Sequence, residues 1–475
     1  MAKFHLLNFG CRASQADGTA LKRQLLEAGL EEASSVEQSQ VAIVNTCTVT
    51  ATADAEVRQH VRRIHRLNPA CRILVTGCYA QRAPEEIAQL EGVAWVVGNS
   101  HKHLVTHLLQ KSLKSGVRGL KSAAKENSEL VQIQGLRPTP AVSHPETAPS
   151  GAPDSELRTQ DPPEVLVGEI TEEFHFAPVF PDDRTRPTLK IQDGCNARCS
   201  FCVIPSVRGP SRSLAPEKVI EQVRALESSG YREIVLSGIN LGSYGHDIDR
   251  QITFPRLLER ILHETTIPRL RISSIEPMDV SATLIRLAAQ EPRLAQHFHV
   301  PLQSGCDRIL RLMNRRYWAA QYAERILAIR EQTPNCGIGA DVMVGFPGET
   351  DQDHATSVRF IASLPFTYLH IFPYSARPGT PAAAAPHQVN GRVARERGQE
   401  IRSLIAEKRQ AFLAAQVGRV IPALTLDEAE DGMPIALTTN YLRVALPGSE
   451  IPPNRLINAW VGRLRGGLLF GYPEP

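Results

Sequence analysis

Three cysteines within eight residues, Cys195, Cys199 and Cys202, stand directly behind a strand-like apolar run at 189–191. Thiolates spaced four and three residues apart wrap one face of an iron–sulfur cube and leave its fourth iron without a protein ligand. The loop follows that run directly, so it is expected at the strand's carboxyl end. A tetrahedral zinc would need a fourth Cys or His, and the nearest downstream histidine is His246. Zinc binding and plain packing stay open as alternatives on spacing alone.

The surrounding pattern is that of parallel β/α units. Strand-like runs at 189–191, 233–236, 270–273, 298–302, 339–344 and 368–372 alternate with helical periods at 216–229, 280–290, 319–331 and 350–364. Six units are too few for a complete eight-fold barrel, so a partial (β/α)6 barrel is expected over 181–416. Upstream, runs at 4–7, 41–44, 72–76 and 94–97, each followed by a helix-length polar segment, predict a doubly wound parallel sheet over 1–113. Seven prolines fall between Pro138 and Pro163, and such a segment buries too little apolar area to offset its backbone entropy. The stretch 114–180 is therefore assigned to a proline-rich linker or insertion. After a charged helix at 393–415, short β-type runs at 435–438 and 441–445 predict a small β-barrel over 417–475.

Lysine and arginine outnumber the acids only 53 to 50, so no molecule-wide positive field draws in nucleic acid and any such contact must be local. The amino terminus lacks the apolar core of roughly 7 to 15 residues that a signal peptide carries, and no apolar run approaches the roughly 18 residues needed to span a bilayer. The expectation is a cytoplasmic protein with no membrane contact, whose nine cysteines are thiols.

A second triad is dispersed in sequence. Cys11, Cys47 and Cys78 each fall just past a predicted parallel strand, and the carboxyl ends of such strands share one edge of the sheet. Gly10 and Gly77 immediately precede two of them and permit close backbone approach to a bulky group. Cys71, Cys306 and Cys336 lack this placement and are expected in cores.

The Cys195, Cys199, Cys202 loop resembles the signature of radical S-adenosylmethionine enzymes. With the upstream three-cysteine domain and a terminal β-barrel, the chain resembles the methylthiotransferase family over nearly its whole length. Asn45-Thr46-Cys47-Thr48-Val49-Thr50, Cys202-Val203-Ile204-Pro205, Arg208-Gly209-Pro210-Ser211-Arg212-Ser213 and Pro301-Leu302-Gln303-Ser304-Gly305 are most similar to the branch acting on threonylcarbamoyladenosine in tRNA. The resemblance implies two 4Fe-4S clusters, S-adenosylmethionine and a low-potential electron donor. It also implies methylthiolation at C2 of N6-threonylcarbamoyladenosine in the tRNA anticodon loop. One triad would serve radical generation and the other would present sulfur, with the protein supplying geometry and exclusion of water. Isopentenyladenosine in tRNA and a ribosomal-protein aspartate are the alternative substrates within the family. A non-catalytic iron–sulfur RNA-binding redox sensor is the alternative of another class.

Further candidates flank these loops. Phe201 is expected against the adenine of the cofactor, and Ser237, Gly238 and Asn240 near its methionine end. Glu276, Gln303 and Asp341, at predicted strand ends, are expected to bind its ribose or amino group. For RNA, Arg308, Arg311, Arg315 and Arg316 combine with the stackable rings of Tyr317 and Trp318. Arg212 and Arg308 are the candidates for pairing with the substrate's carboxylate. The run Thr438-Thr439-Asn440-Tyr441-Leu442-Arg443-Val444 resembles the small RNA-binding barrel of the family, yet 417–475 holds five basic residues against six acidic ones. Gly345-Phe346-Pro347-Gly348-Glu349-Thr350 lacks the lysine and spacing of a phosphate loop and is expected to be a turn and helix start.

Overall fold

The computed structural model describes residues 2–115, 162–170 and 185–474. Residues 138–161 of the proline-rich run lie outside the described residues.

Strands β1 (Lys3–Asn8), β2 (Glu31–Glu32), β3 (Val41–Thr46), β4 (Arg72–Gly77), β5 (Val93–Val97) and β6 (Glu164–Leu166) form one parallel sheet in the order β2-β1-β3-β4-β5-β6. Along β3 and β4 the period of two sorts the side chains. Ala42, Val44, Ile73 and Val75 meet Val57, Val61 and Ile64 of the helix Ala51–Leu67 on one face. Val41, Ile43 and Leu74 meet Leu21 and Leu25 of the helix Arg12–Glu27 on the other. Burial on both faces explains why these strands read as continuous apolar runs. Strand β6 comes from the stretch assigned to the linker. It is only three residues long and pairs through Trp95↔Glu164, so no periodic signal announced it.

The second unit holds β7 (Thr188–Lys190), a two-stranded ribbon of β8 (Gln192–Asp193) and β9 (Arg212–Ser213), then β10 (Glu233–Ser237), β11 (Arg269–Ile272), β12 (His297–His299), β13 (Gly337–Val344) and β14 (Tyr368–Pro373). Parallel pairing runs β7-β10-β11 and β12-β13-β14, and the Ser274↔His299 bridge carries the arc between the two sets. No pairing joins β7 to β14 among the described residues, so this is an open, six-unit partial barrel. The helix Arg12–Glu27 packs against β7 beside that opening. The helix Phe254–Glu264, absent from the sequence expectation, buries Phe254, Leu257, Leu258, Ile261 and Leu262 against the core.

The helix Gly391–Ala414 leads into β15 (Val420–Glu430), β16 (Met433–Thr438), β17 (Arg443–Ala445), β18 (Leu456–Arg465) and β19 (Leu468–Pro473), a closed barrel in the order β15-β16-β17-β19-β18. It is tied to the partial barrel by a buried charge. Arg271 donates from Nη1 to the Thr439 carbonyl and from Nη2 to the Thr438 carbonyl, each at 3.1 Å, while its Nε meets Glu233 Oε1 at 2.7 Å. Burial alone would raise the Glu233 carboxyl pKa, but Arg271, Arg269 and Arg186 outweigh it and hold the group at about 2.

A carboxyl whose pKa is lower folded than unfolded stabilises above its unfolded value, near 4.3, and loses that contribution as pH falls toward its folded value. Glu233→Gln leaves three arginines facing no counter-charge and should cost about 3 to 5 kcal/mol at pH 7 in urea unfolding. The gap to wild type should narrow below about pH 4.3. A gap independent of pH would show that the carboxylate charge is not what secures the junction.

Candidate functional site

The order β2-β1-β3-β4-β5 reverses direction between β1 and β3, and ligands of such sheets bind beyond the strand carboxyl ends at that switch point. Cys11 follows β1 and caps the helix Arg12–Glu27, Cys47 follows β3, and Cys78 follows β4 and opens the helix Cys78–Arg82. At Gly10, with φ +102°, a Cβ would lie 2.4 Å from Cys47 Cβ and 2.9 Å from its Sγ, so glycine is what lets the two thiol-bearing loops approach. Burial, with the Cys78 and Cys11 thiols close by, pushes Cys47 up to about 11. Asn99 Nδ2 stands 3.5 Å from Cys78 Sγ.

In the partial barrel, Gly194 turns with φ +70° where any Cβ would strike the Pro210 carbonyl, and the loop behind it carries Cys195, Cys199 and Cys202. Burial, then Cys199 and Cys195, push Cys202 up to about 12. The Ala197 N–H points at Cys195 Sγ at 3.3 Å, and Arg315 Nη1 lies 3.3 Å from Cys199 Sγ while its Nη2 pairs with Glu276. Asn240 Nδ2 lies 3.9 Å from Cys195 Sγ. Donors aimed at sulfur favour the thiolate form that metal ligation requires. Among the described residues no three His, Cys, Asp or Glu side chains converge on one ion position. The thiols of each triad are nevertheless close enough to act on one another electrostatically.

A buried charge network joins the two triads. Asp17, on the helix that Cys11 caps, takes Arg208 Nη2 at 3.1 Å and Lys102 at 3.4 Å, and also pairs with Lys190. Asp193, two residues before Cys195, takes Lys190 at 2.9 Å and Arg208 Nη1 at 3.0 Å. Burial would raise the Asp17 carboxyl, yet Lys102, Lys190 and Arg208 hold it well below the usual carboxylate range. Two carboxylates thus face three cations, and Arg208 also feels the Cys78 and Cys11 thiols. The surplus positive charge suits an anionic group at the thiols of Cys11, Cys47 and Cys78.

Three cavities adjoin these loops. One of about 380 Å³ is bounded by Cys11, Arg12, Ser237, Gly238 and Asp341, with the rings of His297, His299, Tyr368, His370 and Tyr441. Another, about 190 Å³ and largely apolar, is bounded by Phe201, Cys202, Gln303, Asp341, Phe372 and Tyr374. A third of about 610 Å³ shares Cys11 and Arg12 with the first. Asp341 is therefore common to the first two, although it lies in the middle of β13 rather than at a strand end. Gln303, at φ +60°, carries a buried Oε1 with no hydrogen-bond partner among the described residues.

Several sequence expectations are corrected. Arg308 is engaged by Asp353 and lines none of these cavities, and Arg212 is buried with its guanidinium on the Arg208 carbonyl. Arg315 and Tyr317 turn inward, the tyrosine hydroxyl donating to the Leu302 carbonyl at 2.8 Å, so neither is available to RNA. Arg311 lies over the exposed ring of Trp318 at 5.4 Å. Thr350 starts the helix Asp351–Ser363 as its N-cap, and Glu349 accepts from the Gly345 N–H at 2.7 Å, confirming a turn and helix start. Sequence reasoning missed Arg12 and the histidines. His297 and His299 alternate on β12, a period-two signal that both face the barrel interior.

Residues 3–98 match the family model described as "Uncharacterized protein family UPF0004", and 189–361 match the Radical SAM superfamily. The threonylcarbamoyladenosine tRNA methylthiotransferase MtaB of Aquifex aeolicus is 34% identical over 92% of this chain and 95% of its own length. The Bacillus subtilis protein of the same name is 34% identical over 99% and 94%. The tRNA-2-methylthio-N(6)-dimethylallyladenosine synthase of Syntrophobacter fumaroxidans is 32% identical over 98% and 95%. Among solved structures, the radical S-adenosylmethionine methyltransferase TsrM of Kitasatospora setae superposes with a TM-score of 0.54 at 16% identity, covering 81% of this chain and 77% of that one. This last likeness bears on the fold alone.

Removing one member of the charge network should expose its role. Asp17→Asn leaves Lys190, Lys102 and Arg208 with Asp193 alone and should lower stability by about 3 to 5 kcal/mol in urea unfolding. Asp17→Glu should recover part of that loss. A midpoint equal to wild type in both variants would mean that the junction does not depend on these charges.

Proposed function

The chain belongs to the radical S-adenosylmethionine methylthiotransferase family, in the branch that acts on threonylcarbamoyladenosine in tRNA, and we propose from that premise how its residues divide the work. It is an enzyme of tRNA modification that methylthiolates N6-threonylcarbamoyladenosine at C2 of the adenine. When bound, an iron–sulfur cluster with S-adenosylmethionine supplies the radical chemistry, and a second cluster supplies the sulfur.

In this reading Cys195, Cys199 and Cys202 hold the first cluster and Cys11, Cys47 and Cys78 the second. Phe201 and the apolar cavity beside Cys202 take the cofactor's adenine. Ser237, Gly238 and Asn240 border its methionine end, and Gln303 and Asp341 supply polar contacts. Glu276 acts at one remove by holding Arg315 against Cys199. The observation that carries the division is the shared Asp341 wall. One cavity ends at Cys11, the other at Cys202, and that side chain lines both. A base lying against Asp341 would border both cavities.

C2 of adenine lies on the Watson–Crick edge, so the target is an unpaired adenosine of the anticodon loop, splayed into the cavity. The rings of His299, Tyr368 and Tyr441 line the cavity that would receive it, with buried His297 stacked on Tyr441 at 4.3 Å behind them. On the terminal barrel, exposed Trp460 and Tyr472 stack at 6.4 Å and present a second platform for loop bases. The reaction also needs a low-potential electron donor, and we assign the enzyme to the cytoplasm with its tRNA. No helix of the described residues is long and apolar enough to cross a membrane.

The test uses anaerobically reconstituted protein given two anticodon stem-loops together, one bearing threonylcarbamoyladenosine and one isopentenyladenosine. Wild type should carry about eight irons and methylthiolate the threonylcarbamoyl loop in preference. With Cys11, Cys47 and Cys78 replaced by alanine, about four irons should remain, with reductive cleavage of S-adenosylmethionine but no thiolated RNA. Normal product from that variant would refute the assignment of the second triad, and preference for the isopentenyl loop would refute the substrate.

A further inference from the structure

We propose that Arg12 is the residue that reads the substrate's carboxylate, pairing with the threonyl group of the modified nucleoside. The assignment rests on the functional reading above, since it names what holds that group in the same cavity.

Arg12 follows the thiol of Cys11 directly, and the two residues line both the cavity of about 380 Å³ and the adjoining one of about 610 Å³. Among the described residues its guanidinium donates one hydrogen bond, from Nη2 to Tyr441 Oη at 3.1 Å. Among the described residues no acidic side chain pairs with it. Of the other arginines around the two centres, exposed Arg198 of the cysteine loop lines none of the three cavities, and four more are committed. Arg208 is taken by Asp17 and Asp193, Arg315 by Glu276, Arg271 by Glu233 and Arg377 by Asp54. Within the smaller cavity the one carboxylate, Asp341, is engaged by His299 Nε2 at 3.2 Å. In the larger one Glu428 pairs with Arg443 at 2.7 Å, and neither it nor Asp427 reaches Arg12.

A half-buried guanidinium without a counter-charge is unfavourable unless a ligand provides one. Its planar fork matches a carboxylate through two parallel hydrogen bonds, which an ammonium cannot reproduce. Tyr441 helps to fix the fork. It is held at φ +68° by the Thr438–Leu442 turn, stacked on His297, and leaves the remaining N–H groups for a ligand. The effect of Arg12 on its surroundings agrees with a positive field in the cavity. Burial lowers the pKa of His297 and of His370, and the arginine lowers both further. A nucleoside ending in an isopentenyl group brings no anion and leaves that charge unpaired, which is how the residue would discriminate.

Two other anions could meet the same guanidinium, the carboxylate of S-adenosylmethionine and a backbone phosphate of the loop. The experiment separates them with two stem-loops, one bearing threonylcarbamoyladenosine and one its threonyl methyl ester, each assayed for kcat/KM alongside the KM for S-adenosylmethionine and the iron content. Wild type should prefer the acid by roughly 10 to 100-fold. Arg12→Gln should bring the acid down to the level of the ester while changing the ester little. Arg12→Lys should keep part of the preference, and Tyr441→Phe, far in sequence from the thiols, should reduce it without loss of iron. These last two variants carry the test if Arg12→Gln loads iron poorly. An equal fall for acid and ester would assign the contact to a phosphate and overturn the proposal. A raised KM for S-adenosylmethionine would assign it to the cofactor and overturn the proposal as well. An acid preference intact in all three variants would sink Arg12 alone, whereas a wild type that modifies neither loop would sink the substrate reading with it.

Discussion

The arrangement of both thiol triads depends on a buried ionic junction. Asp17 lies on the helix that Cys11 caps, Asp193 and Lys190 flank the strand end that leads to Cys195, and Arg208 closes the loop after Cys202. Charges removed from water are expensive, and their mutual attraction offsets that cost only in good geometry with the remaining hydrogen-bonding groups engaged. Such a junction tolerates little sliding, because a displaced carboxylate would leave several cations unpaired. Its value is positional. It joins an α/β sheet and an open barrel so that the carboxyl ends of their strands face one another.

The three units then meet around one cavity. The first contributes Cys11 and Arg12, the second Ser237, Gly238, Asp341 and the histidines, and the third Tyr441. The terminal barrel thus contributes to the wall of the cavity itself. Its turn at Thr438-Thr439-Asn440-Tyr441, the segment similar to a small RNA-binding barrel, is docked inward by Arg271 and Glu233 and places a ring in the wall of the site. Its modest acid excess agrees with the proposed division, in which the barrel shapes the cavity and its exposed rings Trp460 and Tyr472 are the platform offered to loop bases.

Much of this was legible in the sequence because the signals are local. The spacing of Cys195, Cys199 and Cys202 and the placement of Cys11, Cys47 and Cys78 behind apolar runs need no tertiary information. Parallel strands buried on both faces, as in β3 and β4, announce themselves by composition. The helix Phe254–Glu264 was equally legible, with apolar residues at 254, 257, 258, 261 and 262, and was overlooked behind Pro255, which is well tolerated in a first helical turn. The arginines were not legible. Whether a guanidinium faces RNA, a carboxylate partner or a cavity depends on residues distant in sequence, such as Asp353 for Arg308, Glu276 for Arg315 and Tyr441 for Arg12. Asp341 was legible as a candidate and lines two of the cavities, although it stands inside β13, which ends at Val344 as expected, rather than at the strand end.

The central claim is that these three units together modify one nucleoside, and nucleoside mass spectrometry of tRNA tests it most directly. A strain lacking this chain should lose 2-methylthio-N6-threonylcarbamoyladenosine and accumulate N6-threonylcarbamoyladenosine. The wild-type chain should restore the modification, and a chain with Cys195→Ala should not. Unchanged 2-methylthio-N6-threonylcarbamoyladenosine in the deletion strain, or loss of the methylthiolated isopentenyl nucleoside in its place, would contradict the account.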